Sequence, residues 1–564
     1  MRLPFLRLLL PLSVAGAGAA CAQSPESDPG RRIDALFSAY GGESSPGCAL
    51  AVIRDGAVVV EKGYGKANLA FGVPIDPQAT VFDVGSVSKQ FTAAAILLLV
   101  QDNKLALDDD IRRYLPELPE YNGIVTVDHL LYHTSGLRDF TVLMTMGTGV
   151  REVDYRSADD AWSVIRRQKQ LNHAPGAKFI YSNTNYFLLG QIVERVSGQR
   201  LGAFLQERIF QPLGMRKTSV RDRHDMVVPR FASSYAAGPD GAYRLKDINW
   251  EFTGSSSVLS TVADLAKWER NFDEARVGGD WLVRQLQQKG KRNDGVTLEM
   301  GRGLFVDGQY RGLRSVHHSG ATAGYNAQFF RLPEERFSAL VLCNADNAHA
   351  ALLSFKVADV FLADAIRKRK AAAAAPAGAT IVPASLALAG GADYAGTYVD
   401  RYTQGLHTLA FREGKLWYGA PHQAPLALEP AGAGRFRLPG KEAGSLAFST
   451  QGRRRLLTVA RGGEPAELER VRPLPAGRQR LDDFAGTYSS PEIDVRWTFV
   501  ARDGKLYKQA RRETEKPMEA AFEDAFTVAE DSELIRFTRD ARRRITGFTV
   551  DNPRVLDVIF TKER

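Results

Sequence analysis

At 564 residues the chain is too long for a single hydrophobic core, and about two to four domains are expected. Its apolar content of 44% and charged content of 25% are those of a globular protein. The formal charge of +9 suits acidic partners such as cell-wall polymers or anionic lipid. Yet the arginines are scattered, apart from Arg453-Arg454-Arg455 and Arg542-Arg543-Arg544, which argues against nucleic-acid binding.

Residues 1–22 differ from the rest. Arg2 and Arg7 accompany an apolar, small-residue stretch, and Ala20-Cys21-Ala22 places small residues ahead of Gln23, the pattern of a cleaved export signal. The expected destination is the periplasm or the medium. A lipoprotein signal modified at Cys21 is the alternative, disfavoured because Gly18-Ala19-Ala20 lacks the usual large aliphatic. From 31 to 40, Ile33, Leu36, Phe37 and Tyr40 recur at helical spacing. Two apolar runs, 48–53 and 57–60, are parted by Arg54-Asp55-Gly56, which predicts a hairpin. Cys48 and Cys343 each lie in a strand-like run and are expected to be buried free thiols, without thiol chemistry or a metal framework.

Ser86 follows Gly85, which suits a turn, and opens a helix whose residues 93–100 are apolar on every face. Such a run belongs at a domain centre and is too short to cross a bilayer. Ser86 and Lys89 are three apart, so on a helix the amine reaches the hydroxyl. A serine hydroxyl is a poor nucleophile until its proton is taken. A partly desolvated lysine of lowered pKa can help take it, and the helix N-terminus adds N–H groups beside the reacting oxygen. This spacing is common by chance, so its weight depends on what accompanies it.

The segment 126–137 predicts a short helix stopped at Gly136, with His129 and His133 four apart. That is metal-ligand spacing, but no third ligand or acidic cluster accompanies it, so both are expected to be hydrogen-bonded structural histidines. Residues 175–186 form a polar loop that opens a helix with Tyr186, Leu189, Ile192, Val193 and Val196 on one face, closing at Ser197-Gly198. Tyr181 and Asn183 on that loop can face one cleft. Thr261 to Asp264 predicts a capping box. Further on, His318 leads into Ser319-Gly320-Ala321-Thr322, small residues that allow a substrate's backbone to come close, with the Ala321 N–H free to point at it. Strand candidates follow at 327–332 and 337–343, then a last helix over 350–370.

Ser86-Val87-Ser88-Lys89, Tyr181-Ser182-Asn183 and His318-Ser319-Gly320, in this order and at these separations, resemble the three motifs of the penicillin-recognising serine hydrolases. That family holds class C β-lactamases, DD-peptidases, D-aminopeptidases and related esterases. The likeness spans residues 23–370. It implies an α/β fold: a β-lactamase/DD-peptidase-like catalytic domain, with an antiparallel sheet flanked by helices plus an all-helical lobe over about 105–198. It further implies that Ser86 is acylated, that Lys89 and Tyr181 share proton acceptance and return, and that Tyr181 is the base toward water or leaving group, its phenol helped to ionise by the Lys89 ammonium. Asn183 would hold the substrate's amide, with His318 and Gly320 in the binding cleft. The N–H groups of Ser86 and Ala321 would form the oxyanion hole. No metal or cofactor is implied. Two departures bear on substrate. No acidic deacylation base on a separate loop is identifiable. The third motif begins with His318 instead of lysine, which weakens attraction for a substrate carboxylate, since histidine is mostly neutral at pH 7.

An alanine- and proline-rich linker over 371–385 precedes a repeat. Asp393-Tyr394-Ala395-Gly396-Thr397-Tyr398 returns as Asp483-Phe484-Ala485-Gly486-Thr487-Tyr488, and Arg412-Glu413-Gly414-Lys415-Leu416 returns as Arg502-Asp503-Gly504-Lys505-Leu506, at an offset of about ninety. The two units, 386–475 and 476–564, are each expected to be a small antiparallel β-barrel or curled sheet. They resemble the lipocalin-like barrels of D-aminopeptidases, where one barrel contributes a loop over the active site; barrels that only pack against the catalytic domain or the cell envelope are the other reading. The expected function is therefore an exported serine hydrolase of D-aminopeptidase type, acting on a small-molecule or short-peptide substrate. A carboxylesterase, a β-lactamase or DD-peptidase, and a non-catalytic envelope binding protein are the alternatives.

Overall fold

A computed structural model describes residues 28–373 (apart from 150 and 152), 391–474 (apart from 422, 440–443, 453 and 462–464) and 480–564 (apart from 529 and 530). The signal at 1–22, with Cys21, and residues 374–385 of the linker lie outside the described residues.

The first domain is built on a six-stranded sheet. Helix α1 (Pro29–Leu36) precedes strands β1 (Cys48–Arg54) and β2 (Ala57–Tyr64); the sheet is completed by β3 (Phe305–Tyr310), β4 (Leu313–Thr322), β5 (Tyr325–Leu332) and β6 (Phe337–Cys343). The order is β3-β4-β5-β6-β1-β2, with every pair antiparallel. Chain start and domain end thus pair at the sheet centre. Because side chains alternate along a strand, Ala49 and Ala51 of β1 face one core while Leu50 and Val52 face another. The first core lies under α2 (Lys89–Gln101); the second lies under α1 and α8 (Ala350–Phe361), with Ile33, Phe37 and Val357 packed on it. The β1–β2 turn is the predicted Asp55-Gly56, both at positive φ.

Cys48 and Cys343 are disulfide-bonded, not free. The antiparallel register sets them directly opposite on β1 and β6, with Cα atoms 4.1 Å apart. Their separation of 295 positions in the chain gave no hint of this, because strand pairing is a tertiary fact.

Helix α2 is buried on all sides from Lys89 to Leu99, as its unbroken apolar run predicts. The helical lobe carries α3 (Val127–Leu131), α4 (Phe140–Thr148), α5 (Ala158–Arg167) and α6 (Asn183–Ser197). Helix α3 is shorter than expected: it ends at Leu131, and His133 turns the chain at φ 56°, so the stop precedes Gly136. Helix α6 closes at Gly198 in the left-handed conformation, as read. Thr261 caps α7 (Val262–Glu274) through the Asp264 N–H, but Asp264 accepts from Lys217 N–H rather than reciprocating. The expected single last helix is two, α8 and α9 (Ala363–Ala373), separated at Leu362.

After the first domain come a nine-stranded antiparallel sheet, nearly closed on itself, and a closed eight-stranded barrel. The repeat is visible atom by atom. Tyr398 donates its hydroxyl to the Tyr394 carbonyl at 2.8 Å, and Tyr488 donates to the Phe484 carbonyl at 2.8 Å. Glu413-Gly414 and Asp503-Gly504 make the same positive-φ hairpin turn. The second barrel is packed solid: Phe484, Tyr488, Trp497, Phe537, Phe548 and Phe560 stack within it.

Candidate active site

Ser86 sits in a short 3-10 turn, Gly85–Ser88, that runs into α2. The turn lies against β4, and two glycines permit it. Gly85, at φ +52°, has no Cβ to collide with the Ala321 N (2.8 Å), and a Cβ on Gly320 would stand 2.0 Å from the Val84 carbonyl. This contact holds the Ser86 and Ala321 amides side by side at the cleft floor. Gly320 therefore faces the protein's own turn, not a substrate.

The first turn of α2 places Lys89 Nζ 3.0 Å from Ser86 Oγ, 2.9 Å from Asn183 Oδ1 and 2.8 Å from the Ser255 carbonyl. Burial lowers the Lys89 pKa well below its ordinary value; Asp139 opposes this and Arg554 adds to it. Asn183 and Ser255 accept from two of its N–H groups, so the proton that it would give up on becoming uncharged is the one facing Ser86 Oγ.

Tyr181 completes the group. Its hydroxyl hydrogen-bonds Ser86, and its ring stacks on His133 with centroids 4.3 Å apart and lies 4.9 Å from Lys89 Nζ. Burial pushes its phenol above the usual range, with the Ser86 bond opposing. The expectation that a Lys89 ammonium helps Tyr181 ionise is thus reversed: both groups are driven toward their neutral forms, because both are taken from water.

Asn183 is anchored at both ends of its amide. Its Oδ1 accepts from Lys89, and its Nδ2 donates to Asp139 Oδ2 at 3.1 Å. His318 is almost fully buried on β4; its Nδ1 donates to the Ser319 carbonyl at 2.6 Å, and burial lowers its pKa to about 3. It is neutral at physiological pH. His129 and His133 are structural, as read. The Thr126 N–H donates to His129 Nδ1, and the Ser182 N–H donates to His133 Nδ1.

Three contributors escaped sequence reading. Asp139, fully buried, accepts from the Asn183 N–H at 2.8 Å and caps α4 through the Thr141 and Val142 N–H groups. An aspartate just before an apolar helix was its only signal. The Ser255 carbonyl has no side-chain signature. Arg554, from the turn between the barrel strands Ile545–Asn552 and Val555–Lys562, lines the cleft although it lies 236 residues beyond His318 in the chain (554 − 318 = 236). The cleft, ≈ 590 Å³, is walled on its apolar side by Val142, Trp250, Phe252 and Phe305.

A serine under a buried amine, with a phenol beside it and two backbone amides at its base, defines a serine hydrolase. Residues 33–360 match the Beta-lactamase family, more than half of the chain. The D-aminopeptidase of Brucella anthropi is 28% identical over 475 residues, covering 82% of each chain, and that of Brucella canis is 27% identical over 529 residues, covering 90% of this chain and 93% of its own. The D-aminopeptidase of Gluconobacter oxydans is 31% identical over 316 residues, 56% of this chain and 58% of its own. Among solved structures, the octameric penicillin-binding protein homologue from Pyrococcus abyssi superposes with a TM-score of 0.53 at 20% identity, over 78% of this chain and all of its own. The chain belongs to the Beta-lactamase family and is a serine hydrolase of it.

Proposed function

We propose that the protein hydrolyses amide bonds of short, D-configured substrates through an acyl-enzyme on Ser86, in the manner of a D-aminopeptidase. The observation that carries this is the 3.0 Å contact between Ser86 Oγ and a lysine amine whose pKa burial lowers well below its ordinary value. Lys89 takes the Ser86 proton as Oγ attacks the carbonyl. The Ser86 and Ala321 amides hold the developing oxyanion, at ~3 kcal/mol per donor. Tyr181 relays the proton to the leaving nitrogen and later receives one from the water that cleaves the acyl-enzyme. The D-aminopeptidase relatives, similar over most of the chain, support the choice of bond. The buried Cys48–Cys343 disulfide supports export, since such bonds persist in oxidising compartments.

The apolar wall and the neutral His318 also suit a carboxylesterase, the second reading. A fluorophosphonate probe should label the protein and fail to label Ser86→Ala; labelling retained in that variant would remove Ser86 from its role. Rates on D- and L-alanine anilides against short-chain nitrophenyl esters then separate the two readings.

A further inference from the structure

We infer that Arg554 is a specificity residue that selects substrates carrying a carboxylate near the scissile bond, so that the second barrel supplies the positive charge the third motif lacks. The proposal rests on the amide hydrolysis proposed above and concerns the substrate of that same site.

Arg554 is presented rigidly. Its carbonyl accepts from Asn172 Nδ2 at 2.9 Å, and the Leu556 N–H donates to Asn172 Oδ1 at 2.8 Å, so the hairpin backbone is clipped to the first domain on both sides of the residue. Its own N–H donates to Asn552 Oδ1. The guanidinium then projects into the cleft, 4.9 Å from the Tyr181 ring centroid.

Its charge is poorly answered by the protein. The nearest carboxylate oxygen, on Asp139, is 3.6 Å away and already accepts from Asn183. The guanidinium makes no hydrogen bond to the described residues, and its side chain is 43% exposed. Neighbouring barrel arginines differ. Arg401 is held by two oxygens of Asp551, and Arg536 by Asp551 and Asp557. Arg554 is thus a planar fork of donors with its face open to the cleft.

Among the described residues that line the cleft Arg554 is the charged one; the buried Asp139 lies behind it at 3.6 Å, His318 is driven neutral, and burial lowers the Lys89 pKa. The guanidinium therefore presents its charge beneath apolar walls, where a charge acts more strongly than in water. A substrate carboxylate within reach of the reacting carbonyl gains a two-pronged partner. A free ammonium set beside the guanidinium itself meets a like charge, since Asp139 is already engaged by Asn183.

The test uses the full chain as Ser86→Ala, which cannot turn over, and four probes of similar size. They are N-succinyl-D-alaninamide (anion on the acyl side), N-acetyl-D-alanine (anion on the carboxyl side), neutral N-acetyl-D-alaninamide and cationic D-alaninamide, with affinities measured by calorimetry. At least one anionic probe should bind about tenfold or more tightly than the neutral one, and which one identifies the side. The preference should survive Arg554→Lys in reduced form and vanish in Arg554→Gln. In Arg554→Glu, D-alaninamide should become the better ligand. Equal affinity for all four probes, or a preference unchanged in Arg554→Gln, overturns the inference. Because binding is read without turnover, failure of the acyl-enzyme mechanism would show separately, as loss of fluorophosphonate labelling in the unsubstituted protein.

Discussion

At the scale of single residues, the site's chemistry comes from burial acting on ionisable groups. Lys89 is fully enclosed, and what its amine can do follows from having lost water rather than from any one neighbour. Replacing Lys89 by Ala should abolish fluorophosphonate labelling while the protein stays folded. Tyr181→Phe should lower kcat by roughly two orders of magnitude, the scale of a lost proton relay, measured on whichever anilide is cleaved best. The neutral His318 makes a prediction about pH. With its pKa lowered to about 3, the profile of kcat/KM should show no inflection from it near the ordinary histidine value of ~6.5. The same shift bears on stability. His318 and His133 stay neutral when folded but take up protons when unfolded, so the unfolded chain binds more protons below pH ~6.5. Stability is fully present above that pH and is lost as pH falls toward about 3. Thermal midpoints measured between pH 7 and 4 should fall, and His318→Gln should flatten the fall.

At the scale of elements, the site depends on close contact between two backbones. The Ser86 turn and strand β4 touch through Gly85 and Gly320. Gly320→Ala would drive a methyl group into the Val84 carbonyl and part the two oxyanion amides, so kcat should drop about a hundredfold or more even if the sheet forms. A probe-labelling rate equal to that of the unsubstituted enzyme would show that the contact is unimportant. The disulfide ties β1 to β6 at the sheet centre. A Cys48→Ala, Cys343→Ala double variant should lose about 2–5 kcal/mol of stability in chemical denaturation. It should keep its activity at low temperature, since the bond faces the core under α1 and α8, away from the cleft.

At the scale of the whole molecule, the second barrel is a structural part of the active site rather than an appendage. Its aromatic interior joins the first domain's core in one continuous cluster. Arg138, its side chain 1% exposed, donates to Gln168, to the Asp557 carbonyl and to Glu492 of the barrel. Removing residues 480–564 would take away two of that guanidinium's three partners, Glu492 and Asp557, and would uncover apolar surface. The shortened chain should be poorly soluble and inactive. A milder probe is Glu492→Gln, which should lower the thermal midpoint by several degrees while leaving Ser86 labelled. The first β unit is tied less directly, through Arg401 to Asp551 of the second barrel and through Glu467 to Lys178.

Much was legible in the chain because it is locally encoded. The Asp55-Gly56 hairpin, the all-apolar α2, the Gly198 helix stop and the repeated Asp-aromatic-Ala-Gly-Thr-Tyr unit each announce themselves within a few residues, where propensity and periodicity act. The Ser86–Lys89 pair is of this kind, since helix geometry alone brings residues three apart into contact. The lowered pKa of Lys89, the anchored amide of Asn183, the Cys48–Cys343 bond and the arrival of Arg554 were decided only by the fold. Each depends on what surrounds a group or on which distant strands pair, and no local pattern of residues carries that information.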